Sequence, residues 1–402
     1  MRALILAALL LTAAAPPRAR DIGVPFEGTP GPLNAITDVA GVEVGHTTIV
    51  RGAGRLVPGK GPVRTGVTAV LPRGRESTTP VFGAWFTLNA AGEMTGTTWL
   101  EERGLLDGPI LITNTHSVGV ARDASVKWMV RQGWPALWNV PVAAETYDGV
   151  LNDINGFHVR EAHALAALDG ARGGAVREGA VGGGTGMICN GWKGGIGTAS
   201  RRLASGYTVG VLVQCNYGTR ATFRLGGAPV GPELRSVDPI CYARPAAAGE
   251  ARRWGFGDCA APADGQEARR PDGSIIVVVA TDAPLLPHQL KRLAKRPSLG
   301  LGRLGSIAGE GSGDIFIAFS TANPGLKSVD EDRTAKPVAM LANDHLNPLF
   351  EATVQATEEA IVNAMIAAET MEGADGVRVP RLPHAALREA LRKYGRLSAT
   401  TK

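Results

Sequence analysis

The chain has 402 residues, 44% hydrophobic and 20% charged, with a formal net charge of +5. That balance fits a packed globular core, in one large domain or two ordinary ones, and excludes a disordered chain. The basic residues are scattered apart from a late run, Arg388 to Arg396, which reads as the solvated face of a helix rather than a nucleic-acid patch.

The chain opens MRALILAALLLTAAAPPRAR. One arginine, an apolar run from Ala3 to Leu11 and then small residues make a secretory signal peptide of about residues 1–19, too short to span a membrane. Ala13, Ala14 and Ala15 suit a cleavage site, Pro16 does not, and the cut point stays open. Export to the periplasm or beyond is expected, with no membrane contact once the signal is removed. After a Gly/Pro-rich lead-in from Gly23 to Leu33, short β-like runs alternate with helical patterns. Val67 to Pro72 and Pro109 to Asn114 predict strands. Val118 to Gln132 and Val159 to Leu168 carry apolar residues at helical spacing, and Tyr207 to Asn216 predicts a buried strand. Gly182 to Gly197 is the most glycine-dense stretch and suits tight turns. Pro229 to Gly273 reads as a long exposed loop of the kind that tends to be functional, disordered or processed.

Regular structure returns at Ser274. Ser274 to Ala283 predicts a buried strand, and Leu286 to Arg296 a helix entered at Pro287. Asp314 to Ser320 alternates like a strand. Asn347 caps a long helix with Pro348 at its first position and one stripe of Phe350, Val354, Ile361 and Met365. With no regular βαβ beat, a layered sheet-and-helix sandwich of the α/β type is expected.

Several motifs carry no chemistry. Gly300 to Gly305 matches G-x-G-x-x-G, but a helix precedes it and a strand follows, the reverse of a dinucleotide site, so it reads as a glycine turn. His158, Glu161 and His163 lack metal-ligand spacing. The cysteines, Cys189, Cys215, Cys241 and Cys259, form no C-x-x-C pair, so no zinc pattern is present. Export permits disulfides: Cys241 and Cys259 are the expected pair, while Cys189 and Cys215 sit in apolar contexts as buried thiols. No histidine is tied to a serine.

The chemistry concentrates at Gly273-Ser274, between a Pro-Asp-Gly loop and the β-branched run Ile275 to Val279. A serine hydroxyl can attack the carbonyl before it, shift the acyl group from nitrogen to oxygen, and leave an ester for water to cut. A preceding glycine tolerates unusual backbone angles, and a stiff strand holds the serine still. The cut would make Ser274 a new N-terminus whose α-amine, with a pKa of about 8, could act as base for its own hydroxyl. That needs no histidine.

The run from Asp272 to Gly305, followed by Gly309 to Asn323, resembles the L-aminopeptidase/D-esterase family, which includes the β-peptidyl aminopeptidases. Supporting stretches are Ile36 to Ile49, Ile112 to Ala124, Ala143 to Gly156, Gly182 to Arg201 and Val211 to Gly218, so the resemblance spans roughly residues 30–395. It implies an αββα four-layer sandwich like that of N-terminal-nucleophile hydrolases but differently connected. It implies one chain cut into an α chain (residues 20–273) and a β chain (residues 274–402) of the same domain, and a homo-oligomer, usually a tetramer of αβ units. It implies removal of N-terminal residues, small L-, D- or β-amino acids, from short peptides, amides or esters, with no cofactor or metal. Residue by residue, Ser274 becomes the nucleophile, with Ser312 and Asp314 beside it and Asn216 as oxyanion donor. Glu145 would hold the substrate's ammonium, Tyr147 could line the same pocket, and Asn114 is a weaker candidate. Two other readings stay open: a self-processed acyltransferase or amidase, and an uncut peptide-binding protein.

Overall fold

A computed structural model describes residues 16–135, 138–246, 251–260, 273–329 and 335–398. Residues 1–15 of the expected signal peptide lie outside the described residues, as do residues 247–250 and 261–272 of the expected loop.

The first half of the chain lays down β1 (Glu43–Arg51), β2 (Val63–Leu71), β3 (Val81–Ala90), α1 (Thr97–Arg103), β4 (Leu105–Leu106), β5 (Ile110–Asn114), α2 (Val118–Arg131), β6 (Val142–Thr146) and α3 (Glu161–Asp169). The hairpin β7 (Ile188–Cys189) and β8 (Trp192–Lys193) leads into the long strands β9 (Gly195–Arg202) and β10 (Thr208–Asn216). Then come α4 (Val230–Glu233), β11 (Cys241–Tyr242), β12 (Ser274–Thr281), α5 (Pro287–Ala294), α6 (Pro297–Arg303) and β13 (Gly313–Ser320). The chain ends with α7 (Asn347–Ile366), β14 (Met371–Glu372), β15 (Val377–Val379) and α8 (His384–Lys393).

Two sheets stack face to face. One runs β1-β2-β5-β6, the other β4-β3-β13-β12-β10-β9. The β-branched run of β12 explains the layering. It lies at the centre of the larger sheet, antiparallel to β10 and parallel to β13. Its residues alternate: Ile276, Val278 and Ala280 join the core between the sheets, while Ile275, Val277 and Val279 face the layer of α5, α6 and α7. A strand buried on both faces needs no polar alternation, which is why it reads as continuous apolar sequence. On the far side, α2 and α3 cover the smaller sheet through Ala121, Ala124, Trp128, Ala164 and Leu168. The result is the expected αββα order.

Several local expectations change. The predicted single stripe of α7 is buried on nearly every side, Asn347, Pro348 and Glu351 excepted, because the helix is clamped between β9, β10, α6 and the N-terminal segment. Leu346, not Asn347, stands at its cap, with Asn347 the first helical residue. The supposed glycine turn at Gly300 to Gly305 is mostly helix α6: a Cβ on Gly300 would lie 2.9 Å from Thr357 Cβ, so glycine serves close helix packing. The supposed loop from Pro229 contains α4 and β11, and β11 joins β15 and β14 in a small sheet that buries Tyr242 and Phe256. Cys241 and Cys259 pair as expected, but Cys189 and Cys215 are also a disulfide rather than two buried thiols. The strand contacts between β7 and β10 bring those two residues within 5.6 Å Cα to Cα, a proximity invisible in apolar context alone.

Candidate active site

Three strands of the larger sheet deliver the central groups. Ser274 opens β12 and lies opposite Asn216, the last residue of β10. On the other flank Ile275 lies opposite Asp314 at the start of β13. The register of β13 with β3 shifts between Asp314 and Ile315, an irregularity of the kind that re-aims side chains beside active sites. Ser274, Ser312, Asp314 and Asn216 are each no more than 5% exposed.

Ser312 Oγ lies 2.6 Å from the carbonyl oxygen of Gly273 and 2.6 Å from Asp314 Oδ1. A hydroxyl has one proton, so it can donate to only one of these acceptors at a time. The carbonyl it reaches is that of the Gly273–Ser274 bond. Ser274 Oγ accepts the Gly313 N–H at 3.0 Å, which holds the hydroxyl beside its own peptide bond. Burial pushes the Asp314 carboxyl up to about 6, against the opposing pull of the Ser312 hydroxyl. Asp314 Oδ2 is buried and makes no hydrogen bond.

Gly273 owes its identity to space. A Cβ there would sit 1.5 Å from the backbone oxygen of Asn216. Its φ is not positive, so close approach, rather than the unusual backbone angle expected from sequence, requires glycine.

Asn216 is aimed by its surroundings. Its Oδ1 accepts the Ile188 N–H at 2.7 Å, and its Nδ2 donates to the Tyr147 carbonyl at 2.9 Å. The amide orientation is therefore set by the backbone.

Glu145, at the end of β6, is buried, and its Oε1 accepts the Glu93 N–H at 3.0 Å while Oε2 takes the Thr115 hydroxyl. Burial raises its pKa, and those two donors work against the rise. A Cβ on Gly92 would meet Glu145 Oε1 at 3.0 Å and Gly313 Cα at 3.2 Å, so Gly92 lies against both this carboxylate and the residue whose N–H holds Ser274.

The other two predicted residues lie to one side. Tyr147 contributes its carbonyl to Asn216, but its ring folds back over Gly149 and packs with the cluster of Val150 and Leu151. Asn114 turns away from Glu145 to donate to Thr65 Oγ1 and Asp148 Oδ2, both at 3.0 Å. Asp148 was not foreseen. It is fully buried, its carboxyl pushed up to about 6 by burial, and it also accepts from Asn152. The Gly313, Ile188 and Glu93 donors were missed as well, because every residue except proline carries a backbone N–H and sequence marks none of them. Thr115, two positions beyond Thr113 in a polar run after β5, offered no signal of its own.

Comparison with known proteins gives the chain its relatives. Residues 34–379 match the model of peptidase family S58. The β-peptidyl aminopeptidase BapA of Sphingosinicella microcystinivorans is 58% identical over 401 residues, 98% of each chain. A β-aminopeptidase from a Burkholderia species superposes with a TM-score of 0.81 at 46% identity, over 94% of this chain and 99% of that one. An L-aminopeptidase D-Ala-esterase/amidase from Ochrobactrum anthropi, described as a prototype for the serine aminopeptidases and a new variant of the Ntn hydrolase fold, gives 0.82 at 46% identity over 95% and 100%. With catalytic-type hydroxyls gathered at one peptide bond and similarity running the length of the chain, the protein belongs to peptidase family S58 and is a hydrolase of the serine aminopeptidase type.

Proposed function

We propose that the chain cuts its own Gly273–Ser274 bond and that the freed Ser274 then removes N-terminal residues from short peptides. The carrying observation is the Ser312 hydroxyl 2.6 Å from the Gly273 carbonyl oxygen, beside the held Ser274 hydroxyl. Ser274 Oγ attacks the Gly273 carbonyl carbon, and Ser312 donates to the oxygen as it gains charge. The bond from carbon to the Ser274 nitrogen breaks, and the proton lost by Oγ ends on that nitrogen. Water then cleaves the ester, leaving a Gly273 carboxylate and a Ser274 with free amine and hydroxyl. Asp314, with Oδ2 unpartnered, suits the new ammonium and stabilises it.

In turnover the Ser274 amine serves as base for its own hydroxyl. Asn216 donates to the carbonyl oxygen of the substrate, using the Nδ2 hydrogen not given to Tyr147. Glu145 pairs with the substrate's free ammonium, which would select chain ends over chain interiors. The names of the relatives support N-terminal β-amino residues as the preferred class. Export and assembly are part of the same reading. The leader-like start and the two disulfides support an oxidising compartment. Arg18 pairs with Glu178 at 2.7 Å and Ala19 N–H donates to Asn363 at 3.0 Å, which favours a signal cut upstream of Arg18. Exposed Leu299 and Ile307, near the turn that leads into Ser312, are apolar surface that a homo-oligomer would cover.

Intact-mass analysis and N-terminal sequencing test the reading. Two chains are expected, the shorter beginning SIIVVV, together with hydrolysis of β-alanyl and alanyl amides but not of their N-acetylated forms. Ser274→Ala should be a single, inactive chain; a Ser274→Ala protein that is cut and active refutes the mechanism.

A further inference from the structure

We propose that Lys193 is a positioning residue for the hydrolytic step, its ammonium group holding and polarising the Met187–Ile188 peptide that aims the Asn216 amide at the substrate's carbonyl oxygen. The inference rests on Asn216 being the oxyanion donor.

The observation is a single peptide plane with a contact at each end. Its carbonyl, that of Met187, accepts Lys193 Nζ at 2.8 Å. Its N–H, that of Ile188, donates to Asn216 Oδ1 at 2.7 Å. A cation on the carbonyl draws electron density through the amide and makes the N–H a stronger donor. That N–H does the same to the Asn216 side chain, whose Nδ2 hydrogens become better donors in turn. Chains of hydrogen bonds polarise one another in this way in a low-dielectric interior. The sequence in space is ammonium, peptide, side-chain amide, reacting oxygen.

Lys193 is unusual enough to ask for such a role. It is wholly buried, and among the described residues no carboxylate pairs with it. Its Nζ instead faces the carbonyls of Gly184 at 3.4 Å, Met187 at 2.8 Å and Gly194 at 2.9 Å. Three acceptors match the three hydrogens of an ammonium and not the two of a neutral amine. Burial pulls its pKa down to about 7, so the caged charge is held at a cost to folding. The frame is rigid: Lys193 lies opposite Ile188 in the β7–β8 hairpin, and the Cys189–Cys215 disulfide ties that hairpin to the residue before Asn216. A second donor, the Gly194 N–H at 2.9 Å, completes the coordination of the Met187 oxygen.

A double-mutant cycle tests it. Lys193→Met, Asn216→Ala and the combined variant are purified, checked by intact mass, and assayed for kcat and KM on a β-alanyl amide. Self-cleavage should persist in all three, since the Gly273 carbonyl contacts Ser312 rather than Asn216. Asn216→Ala should lower kcat about 100-fold, as loss of an oxyanion donor does. Lys193→Met should lower kcat about 10-fold with KM within twofold, and have no further effect once Asn216 is alanine. An equal Lys193→Met loss in both backgrounds, an unchanged kcat, or a folded Lys193→Met chain that stays uncut overturns the inference, because each makes the lysine a structural cage or ties it to another step. A wild-type kcat in Asn216→Ala instead overturns the oxyanion reading beneath it, a separate failure. If Lys193→Met does not fold, Lys193→Gln, which keeps two N–H donors and drops the charge, enters the same cycle with the same criteria.

Discussion

Replacing Gly273 by alanine should stall self-cleavage while leaving the fold intact. The added Cβ would lie 1.5 Å from the Asn216 backbone oxygen, half the 3.0 Å below which real Cβ contacts essentially do not occur, so the 273 peptide must move by about 1.5 Å. Asn216 cannot yield easily, because it is paired with Ser274 in the sheet and its side chain is bonded to Ile188 and Tyr147. Ser274 is fixed in β12, so the movement falls on the Gly273 carbonyl, and this separates it from both the Ser274 hydroxyl and the Ser312 donor. A misplacement of about 1 Å at a reacting centre costs about 100-fold in rate. Cleavage of Gly273→Ala should therefore be slower by at least that factor. Intact mass followed over hours to days after purification reads the rate, and a melting curve of the uncut protein reports the fold. A variant that is already two chains at the first time point would refute both the steric argument and the attack geometry built on it.

The remaining predictions concern the carboxylates. The Asp314 carboxyl is raised from the ordinary 3.8 to about 6 by burial, so the folded chain holds this proton more tightly than the unfolded one. Stability then falls as pH rises from 3.8 to about 6 and stays reduced above it. In the uncut Ser274→Ala background, Asp314→Asn should gain up to roughly 3 kcal/mol at pH 8 and nothing near pH 3, by denaturant unfolding; an equal gain at both pH values would rule out ionisation as the cause. In the cut enzyme the Ser274 amine is the base, with an ordinary pKa of about 8 that the Asp314 carboxylate raises, so activity should fall as pH drops through about 8, read from a pH–rate profile. Glu145→Gln should leave self-cleavage untouched and raise KM about 10-fold for substrates with a free amine, the worth of one charge-assisted contact; a changed kcat with unchanged KM would deny Glu145 the ammonium.

Much of the site was legible because its parts lie on strand ends with distinctive neighbours. The Gly-Ser junction before an uninterrupted β-branched run marks a central strand entered by a reactive hydroxyl, and β12 is that strand. The Gly-Ser-Gly-Asp turn that supplies Ser312 and Asp314 carries hydroxyl and carboxylate two residues apart, close enough to bond at 2.6 Å. Where side chains turn was a different matter. Tyr147 and Asn114 have the right chemistry near Glu145, yet their side chains answer to Gly149 and Asp148. Lys193 sits among glycines, where a lysine suggests solvent until the surrounding carbonyls are in view.

By itself the sequence determined the alternation of elements, the two-faced burial of β12 and the identity of the chemical groups, because these follow from side-chain type and local period. Only the tertiary structure decided which backbone donors converge on Ser274 and Asn216, why residue 273 has no room for a side chain, and that Cys189 meets Cys215. Those facts depend on sheet register between segments far apart in the chain, and peptide units other than those before proline offer the same N–H and C=O until register selects one.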